Sequence, residues 1–480
     1  MLRRLTVAAI VLCGAVSVAH ADRIYKIEVN DITKTDRNTV LAIAGYEEGR
    51  SITEADLDTI KQRLLASGLF KEVTVTLVRS HSGVKLIISA KDKISWFILP
   101  TFTYSEDNYG GGLAFGETNL FGRRKRVLLY AALSNTTGTL MAAYQDPALA
   151  HSWFYWQIDG HYQWDKIREY FPGSIKHPTV LRTMPIQLGG GGLTAGVRWW
   201  RKFKTEGRFS IRQATYEEAR FDTAAWEELA TRNSAWSGYT NWRDAQNAQG
   251  RGSAPDPSGT NLYARATVGW DGRSSVHGVQ DGLTLLGNYE GGFGAYKYWK
   301  AYANLHWALK LFKEHNFMVR GYVGVARDEP FFEELESGGT SFRGYLTRQF
   351  RGDTRLFGSA EYVFPIVKIK ALHIRGLVYY DTNLSWFSQS PSCRPESEGG
   401  ARCRDGYPYA ERISDGGRQV RYYLPGQAFS LGKDDWNNGV GGGLRFYLKS
   451  IAMPLIGVDY GYGLEGGGWG QVYLTVGMPL

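Results

Sequence analysis

Three charged residues stand out for the chemistry that their surroundings allow. Arg343 lies in Gly338-Gly339-Thr340-Ser341-Phe342-Arg343-Gly344-Tyr345, a basic group set between aromatics and glycines. Two alternating segments follow it, each with a lone carboxylate on its polar face. In 356–366, Leu356, Gly358, Ala360, Tyr362, Phe364 and Ile366 make one face and Glu361 lies on the other. In 372–382, Leu372, Ile374, Gly376, Val378 and Tyr380 make the apolar face, opposite His373, Arg375 and Asp381. A strand sends successive side chains to opposite sides, so Glu361 and Asp381 both point away from the apolar surroundings. In a closed membrane barrel that side is the lumen, where a guanidinium on an infolded loop could grip both carboxylates. That chemistry is a clamp, not a reaction.

Catalytic alternatives are poorly supported. The sequence has no G-x-S-x-G, H-E-x-x-H or P-loop pattern, and His161, His306 and His373 stand alone on polar strand faces. They read as lumen-lining residues. No enzyme activity, cofactor or metal is expected. Cys393 and Cys403 sit in a polar stretch rich in Ser, Pro, Gly and Arg, which offers too few ligands for a metal. In an oxidising compartment a short loop disulfide between them is expected.

The elements that must position these groups fall into two periods. Residues 1–21 read as an export signal: Arg3 and Arg4, an apolar run from Leu5 to Val18, and Ala19-His20-Ala21 before Asp22. Residues 22–93 have the grammar of a small α+β domain in the order β-α-α-β-β. Asp36 is placed to cap a first helix that stops at Gly45, and Thr53 with Asp56 forms a capping box for a second that stops at Gly68. From 94 to 480 the helical period disappears. Trp156, Ile158, Gly160, Tyr162 and Trp164 alternate with polar residues, as do Leu262, Ala264, Ala266, Val268 and Trp270, and 301–311. A soluble sandwich could alternate in this way. The repeated ending of the apolar face in Trp or Tyr, with 58 Gly and 15 Trp in the chain, favours a transmembrane antiparallel β-barrel. The length accommodates about 16 strands of ~9–11 residues. Polar connections at about 165–189, 217–258, 328–353 and 386–434 are expected to be long outward loops. The formal net charge of +9 is modest for 480 residues, and its densest run, Arg123-Arg124-Lys125-Arg126, reads as a turn near lipid headgroups. No nucleic acid is expected as a partner.

Several motifs then resemble the BamA/TamA-like outer-membrane assembly factors, the bacterial surface antigen family. Residues 66–73, Ala-Ser-Gly-Leu-Phe-Lys-Glu-Val, resemble part of one POTRA domain. Phe342-Arg343-Gly344-Tyr345 is similar to the family's Val-Arg-Gly-Phe/Tyr loop motif. Ser359-Ala360-Glu361-Tyr362, Tyr379-Tyr380-Asp381, 439–446 and 458–461 follow in the family's order. The resemblance implies that the loop folds into the barrel and that Arg343 meets Glu361 and Asp381. It also implies a weak seam between the first and last strands, here 96–104 and 471–478, and a client-binding strand carrying Val73, Val75 and Leu77. The implied role is insertion or translocation of nascent outer-membrane or secreted proteins at a Gram-negative outer membrane, with the POTRA-like domain in the periplasm and accessory partners there. A dedicated two-partner-type secretion pore and a passive porin-like barrel remain open. Two features depart from the family: Val279 and Gln280 stand where a turn proline is usual, and the chain ends in Met478-Pro479-Leu480 without a terminal aromatic.

Overall fold

The computed structural model describes residues 22–476 except 82, 106, 150–151, 171–177, 179, 201, 218–219, 222–257, 277–278, 370–371, 387–393, 396–400, 403–412, 416–417, 421–435, 449–455 and 466–469. The expected export signal, Cys393 and Cys403, and nearly all of 217–258 therefore lie outside the described residues. Two compact units emerge, one running to Ser95 and including Thr118–Lys125, the other holding Trp96–Glu117 and the chain from Arg126 onward.

The N-terminal unit packs two helices on one sheet. Its elements are β1 (Asp22–Asn30), α1 (Arg37–Ala44), β2 (Ser51–Ile52), α2 (Glu54–Ala66), β3 (Phe70–Ser80) and β4 (Gly83–Asp92), with sheet order β2-β1-β4-β3. β2 is an addition to the expected β-α-α-β-β order, and two residues are too few to carry a period. Asp36 caps α1 by accepting from the Asn38 N–H, and Gly45 ends it at φ 74°. Asp56 accepts the Thr53 N–H at 2.8 Å, completing the capping box of α2. Ile24, Val40, Ile60, Leu64, Leu86 and Ile88 are fully buried between the layers. Each such side chain contributes about 1.5–3 kcal/mol relative to exposure.

One carboxylate ties the β1–α1 connection to the end of β4. Asp92 Oδ2 accepts the N–H groups of Thr33, Lys34 and Thr35 at 2.7, 2.7 and 3.1 Å. Burial pushes the Asp92 carboxyl up, but the Thr35 hydroxyl and these amides outweigh it and hold the pKa below the usual carboxylate value. A depressed folded-state pKa gives stability that is present above the unfolded value and lost as pH falls through the folded one. We expect Asp92→Asn to destabilise this unit by roughly 1–2 kcal/mol at neutral pH. The difference from wild type should shrink below about pH 4. Amide hydrogen exchange of the full chain would measure it, and equal protection at neutral pH would refute the account.

The second unit is a closed antiparallel barrel of sixteen strands. They are β5 (Trp96–Tyr104), β6 (Tyr109–Leu120), β7 (Lys125–Ser134), β8 (Thr137–Asp146), β9 (Phe154–Tyr170), β10 (Val180–Trp199), β11 (Phe203–Tyr216) and β12 (Gly259–Asp271). The second half continues as β13 (Val279–Gly294), β14 (Tyr298–Leu311), β15 (His315–Arg327), β16 (Thr354–Lys368), β17 (Leu372–Trp386), β18 (Asn437–Leu448), β19 (Ile456–Gly463) and β20 (Gln471–Val476). Ile158, Tyr162, Leu262, Val268, Trp270 and Trp307 are exposed on the outer face, as a lipid-facing band requires. The residues between them turn inward.

The expected loop at 165–189 is corrected. β9 and β10 stay paired over 165–170 and 180–189, with Asp165 opposite Ile186 and Arg168 opposite Thr183. A bilayer needs only ~9–11 residues per strand. The surplus ladder, rich in polar residues because it lies beyond the apolar band, looks like a loop by composition. At the closure, β20 pairs with β5, and among the described residues Leu474 opposes Tyr104, Thr475 opposes Thr103 and Val476 opposes Phe102. β5 meets β6 over its whole length, from Trp96 opposite Glu117 to Tyr104 opposite Tyr109.

Candidate functional site

The segment 328–353 between β15 and β16 is folded against the inner wall. Short 3-10 turns at Phe331–Glu333 and Gly339–Ser341 shape it. Arg343 at its centre is 3% exposed and Asp381 is fully buried. Arg343 Nε donates to Asp381 Oδ2 at 2.8 Å and Nη2 to Oδ1 at 2.8 Å, a bidentate grip. Nη2 also reaches Glu361 Oε1 at 2.6 Å. The Arg343 Cζ lies 3.3 Å from the centroid of the Tyr379 ring.

Strand register explains why these partners coincide. Ser359 opposes Asp381 and Glu361 opposes Tyr379 across β16 and β17. These four inward side chains form a two-by-two patch, and the guanidinium lies on it, with Ser359 Oγ at 3.4 Å from Nη2. Arg320 on β15 also donates to Glu361, at 2.8 Å, so two cations face two carboxylates. A buried charge needs such compensation, because desolvation costs several kcal/mol per ion.

The neighbours of Arg343 fix the backbone. Phe342 stacks on Tyr345 with ring centroids 4.6 Å apart. Gly344 has φ 99° and donates its N–H to the Tyr473 hydroxyl at 2.9 Å, and that hydroxyl donates to the Tyr345 carbonyl at 3.0 Å. A Cβ on Gly344 would come within 2.6 Å of the Gly463 nitrogen, so β19 and the loop touch backbone to backbone. Gly439 and Gly461 on the wall are held to glycine for the same reason, a methyl on either meeting Arg343 main chain.

All six expected residues of the loop site, Phe342, Arg343, Gly344, Tyr345, Glu361 and Asp381, are thus in one cluster. Val73, Val75 and Leu77 lie elsewhere, on β3 of the N-terminal unit, with their side chains packed towards that unit's core. Sequence reasoning missed Tyr379, Tyr473 and a second set of ion pairs. Glu333 accepts from Arg212 on β11 and from Lys300 on β14, the latter at 2.6 Å. Arg348 pairs with Asp165 on β9 at 2.6 Å and with Glu336 at 2.8 Å. Thr347 Oγ1 donates to Asp107, between β5 and β6, at 3.1 Å. The acid-rich run Glu333-Glu334-Leu335-Glu336, set against inward cations on β11 and β14, was the available signal. The loop is therefore tied to both halves of the barrel wall by charge pairs, an arrangement suited to holding a plug.

Residues 119–465 match the sequence model of the Omp85 superfamily domain. No curated protein matches the sequence. Among solved structures, the chain is similar to BamA from Haemophilus ducreyi lacking POTRA domains 1-3. The TM-score is 0.60 at 12% identity, covering 95% of this chain and 84% of that one. It is also similar to CdiB from Acinetobacter baumannii, with TM-score 0.55, 12% identity and coverage of 95% and 74%. CdiB from Escherichia coli gives TM-score 0.53, 10% identity and coverage of 95% and 76%. At these identities the likeness is one of fold.

Removing either end of the bidentate pair leaves the other charge buried, a loss of roughly 3–5 kcal/mol, reduced where water enters the lumen. Arg343→Ala and Asp381→Ala should each lower the temperature at which the barrel loses its compact mobility on semi-native gels. Unchanged transitions in both variants would mean that the loop is held without the pair.

Proposed function

The chain belongs to the Omp85 superfamily, and on that premise we propose that it inserts proteins into, or moves them across, the Gram-negative outer membrane without a chemical step. The observation that carries this reading is the closing seam. There β20 covers the edge of β5, with Leu474, Thr475 and Val476 opposite Tyr104, Thr103 and Phe102 among the described residues. Parting the two strands would free the backbone edge of β5. A client strand with free backbone groups could then pair with the opened edge of β5.

The N-terminal unit is proposed as a single POTRA domain in the periplasm. Its contribution is the edge strand β3, which lies at one end of the sheet order. Val73, Val75 and Leu77 face the core, so an extended client would read the strand through its backbone rather than through these side chains. Backbone pairing tolerates many sequences, as a receptor for nascent outer-membrane proteins requires. Arg343 with Glu361 and Asp381 serves as the latch that keeps the loop in place, not as a catalytic group.

A disulfide lock tests the seam. Thr103 and Thr475 are directly opposed, so Thr103→Cys with Thr475→Cys can bridge the two strands. In proteoliposomes, wild type should speed the folding of a small eight-stranded outer-membrane barrel severalfold. The oxidised double variant should lose that acceleration, and reductant should restore it. Full activity of the oxidised protein would remove the seam from the mechanism. Locked protein that still releases one secreted partner through the membrane would favour the secretion-pore reading.

A further inference from the structure

Basic side chains gather on the inner wall at the rim where Trp96 opens β5. Successive strands reverse direction, so β7 and β11 start at that rim and β10 ends there. Arg126 is the second residue of β7, Arg198 the last but one of β10 and Lys204 the second of β11. Leu129, Leu193 and Phe209 on the same strands are exposed on the outer face. Each basic residue is an odd number of positions from the apolar residue on its strand, so all three turn into the lumen. Arg198 and Lys204 stand directly opposite each other across β10 and β11.

Like charges opposed across two strands repel, and the wall supplies little to offset them. Glu206 on β11 takes Lys204 Nζ at 3.2 Å and the Tyr155 hydroxyl at 2.7 Å. Asp159, deeper on β9, is occupied by Arg208, whose Nη1 and Nη2 donate to it at 2.6 and 2.7 Å. Arg198 lies over the Tyr155 ring, 5.1 Å from its centroid, and Arg126 reaches the Gln145 side-chain oxygen at 3.4 Å. Neither arginine has an ion pair among the described residues. Arg126 is near enough to Arg198 to feel its charge. Both side chains are exposed to the water of the lumen.

We propose that this stretch of wall is an anion-concentrating mouth, which draws small carboxylate- or phosphate-bearing solutes into the lumen from that rim and holds back cations. Two guanidinium groups without carboxylate partners create a positive potential, and the low-dielectric barrel wall focuses it into the water that they face. Arg and Lys lining a pore are how such channels favour anions. Charge alone sets the preference, so the solute class is fixed by its sign rather than its shape. The assignment needs only the barrel and holds whether the protein inserts or secretes its clients.

Thiol modification of the full chain in detergent tests the proposal. Gln145→Cys, opposite both Arg126 and Gln157, serves as the reporter in a chain whose three native cysteines are replaced by serine. The probes are the sulfonatoethyl and trimethylammonioethyl methanethiosulfonates, which differ in the sign of their charge, with rates divided by those for free mercaptoethanol. At low salt the anionic reagent should react about tenfold faster than the cationic one. The bias should shrink in ~1 M salt, where charges are screened within about 3 Å. Arg126→Gln with Arg198→Gln should cut it about fivefold, while Arg126→Lys with Arg198→Lys should keep it. Equal rates, a faster cationic reagent, or a bias indifferent to salt or to the glutamine substitutions would overturn the proposal. A thiol that reacts with neither reagent would show that no solute enters there and would overturn it as well.

Discussion

A guanidinium buried inside the barrel has to be neutralised where it lies, and much of the site's architecture follows from that requirement. Arg343 takes a bidentate partner from β17 and a second carboxylate from β16, while Tyr379 offers its ring face. The partners are aligned only in the register that sets Ser359 opposite Asp381 and Glu361 opposite Tyr379. A slip of one residue would turn one strand's acid outward into lipid and its apolar face into the lumen. Latch and register therefore stabilise each other. The lipid side forbids the slipped arrangement, and the lumen side rewards the observed one.

The latch also sets the demands on the rest of the loop. A side chain fixed on β16 and β17 draws the main chain against β18 and β19, and the contact is possible because glycines stand at 439, 461 and 463. On the far wall, Glu333 and Arg348 reach β9, β11 and β14. Releasing the loop therefore means parting several desolvated pairs rather than one. The seam is held differently, by backbone pairing of β20 with β5 in which Thr475 opposes Thr103.

Sequence legibility followed the solvent on each face. Glu361 and Asp381 could be turned inward from alternation alone, because lipid on one side of β16 and β17 enforces an apolar face. Asp36, Gly45, Thr53 and Asp56 marked helix ends because capping is local chemistry. What could not be read was non-local or had no period. β2 is two residues long. The ladder of β9 and β10 runs past the length that a bilayer needs, and its Ile167, Met184 and Ile186 join a buried cluster with Phe331, so lipid does not impose its period there. Glu333 finds Arg212 across 121 residues of sequence, and no local pattern announces such a partner.

The central claim is that Arg343 and Asp381 stabilise the barrel as a pair. A double-mutant cycle with Arg343→Met and Asp381→Leu, read as urea unfolding from lipid bilayers, measures that coupling directly. The account predicts that each single change is costly, because it strands one buried charge, and that the double variant recovers a coupling energy of about 2 kcal/mol or more. Losses that add to within ~0.5 kcal/mol would show that the two residues act independently and would contradict it.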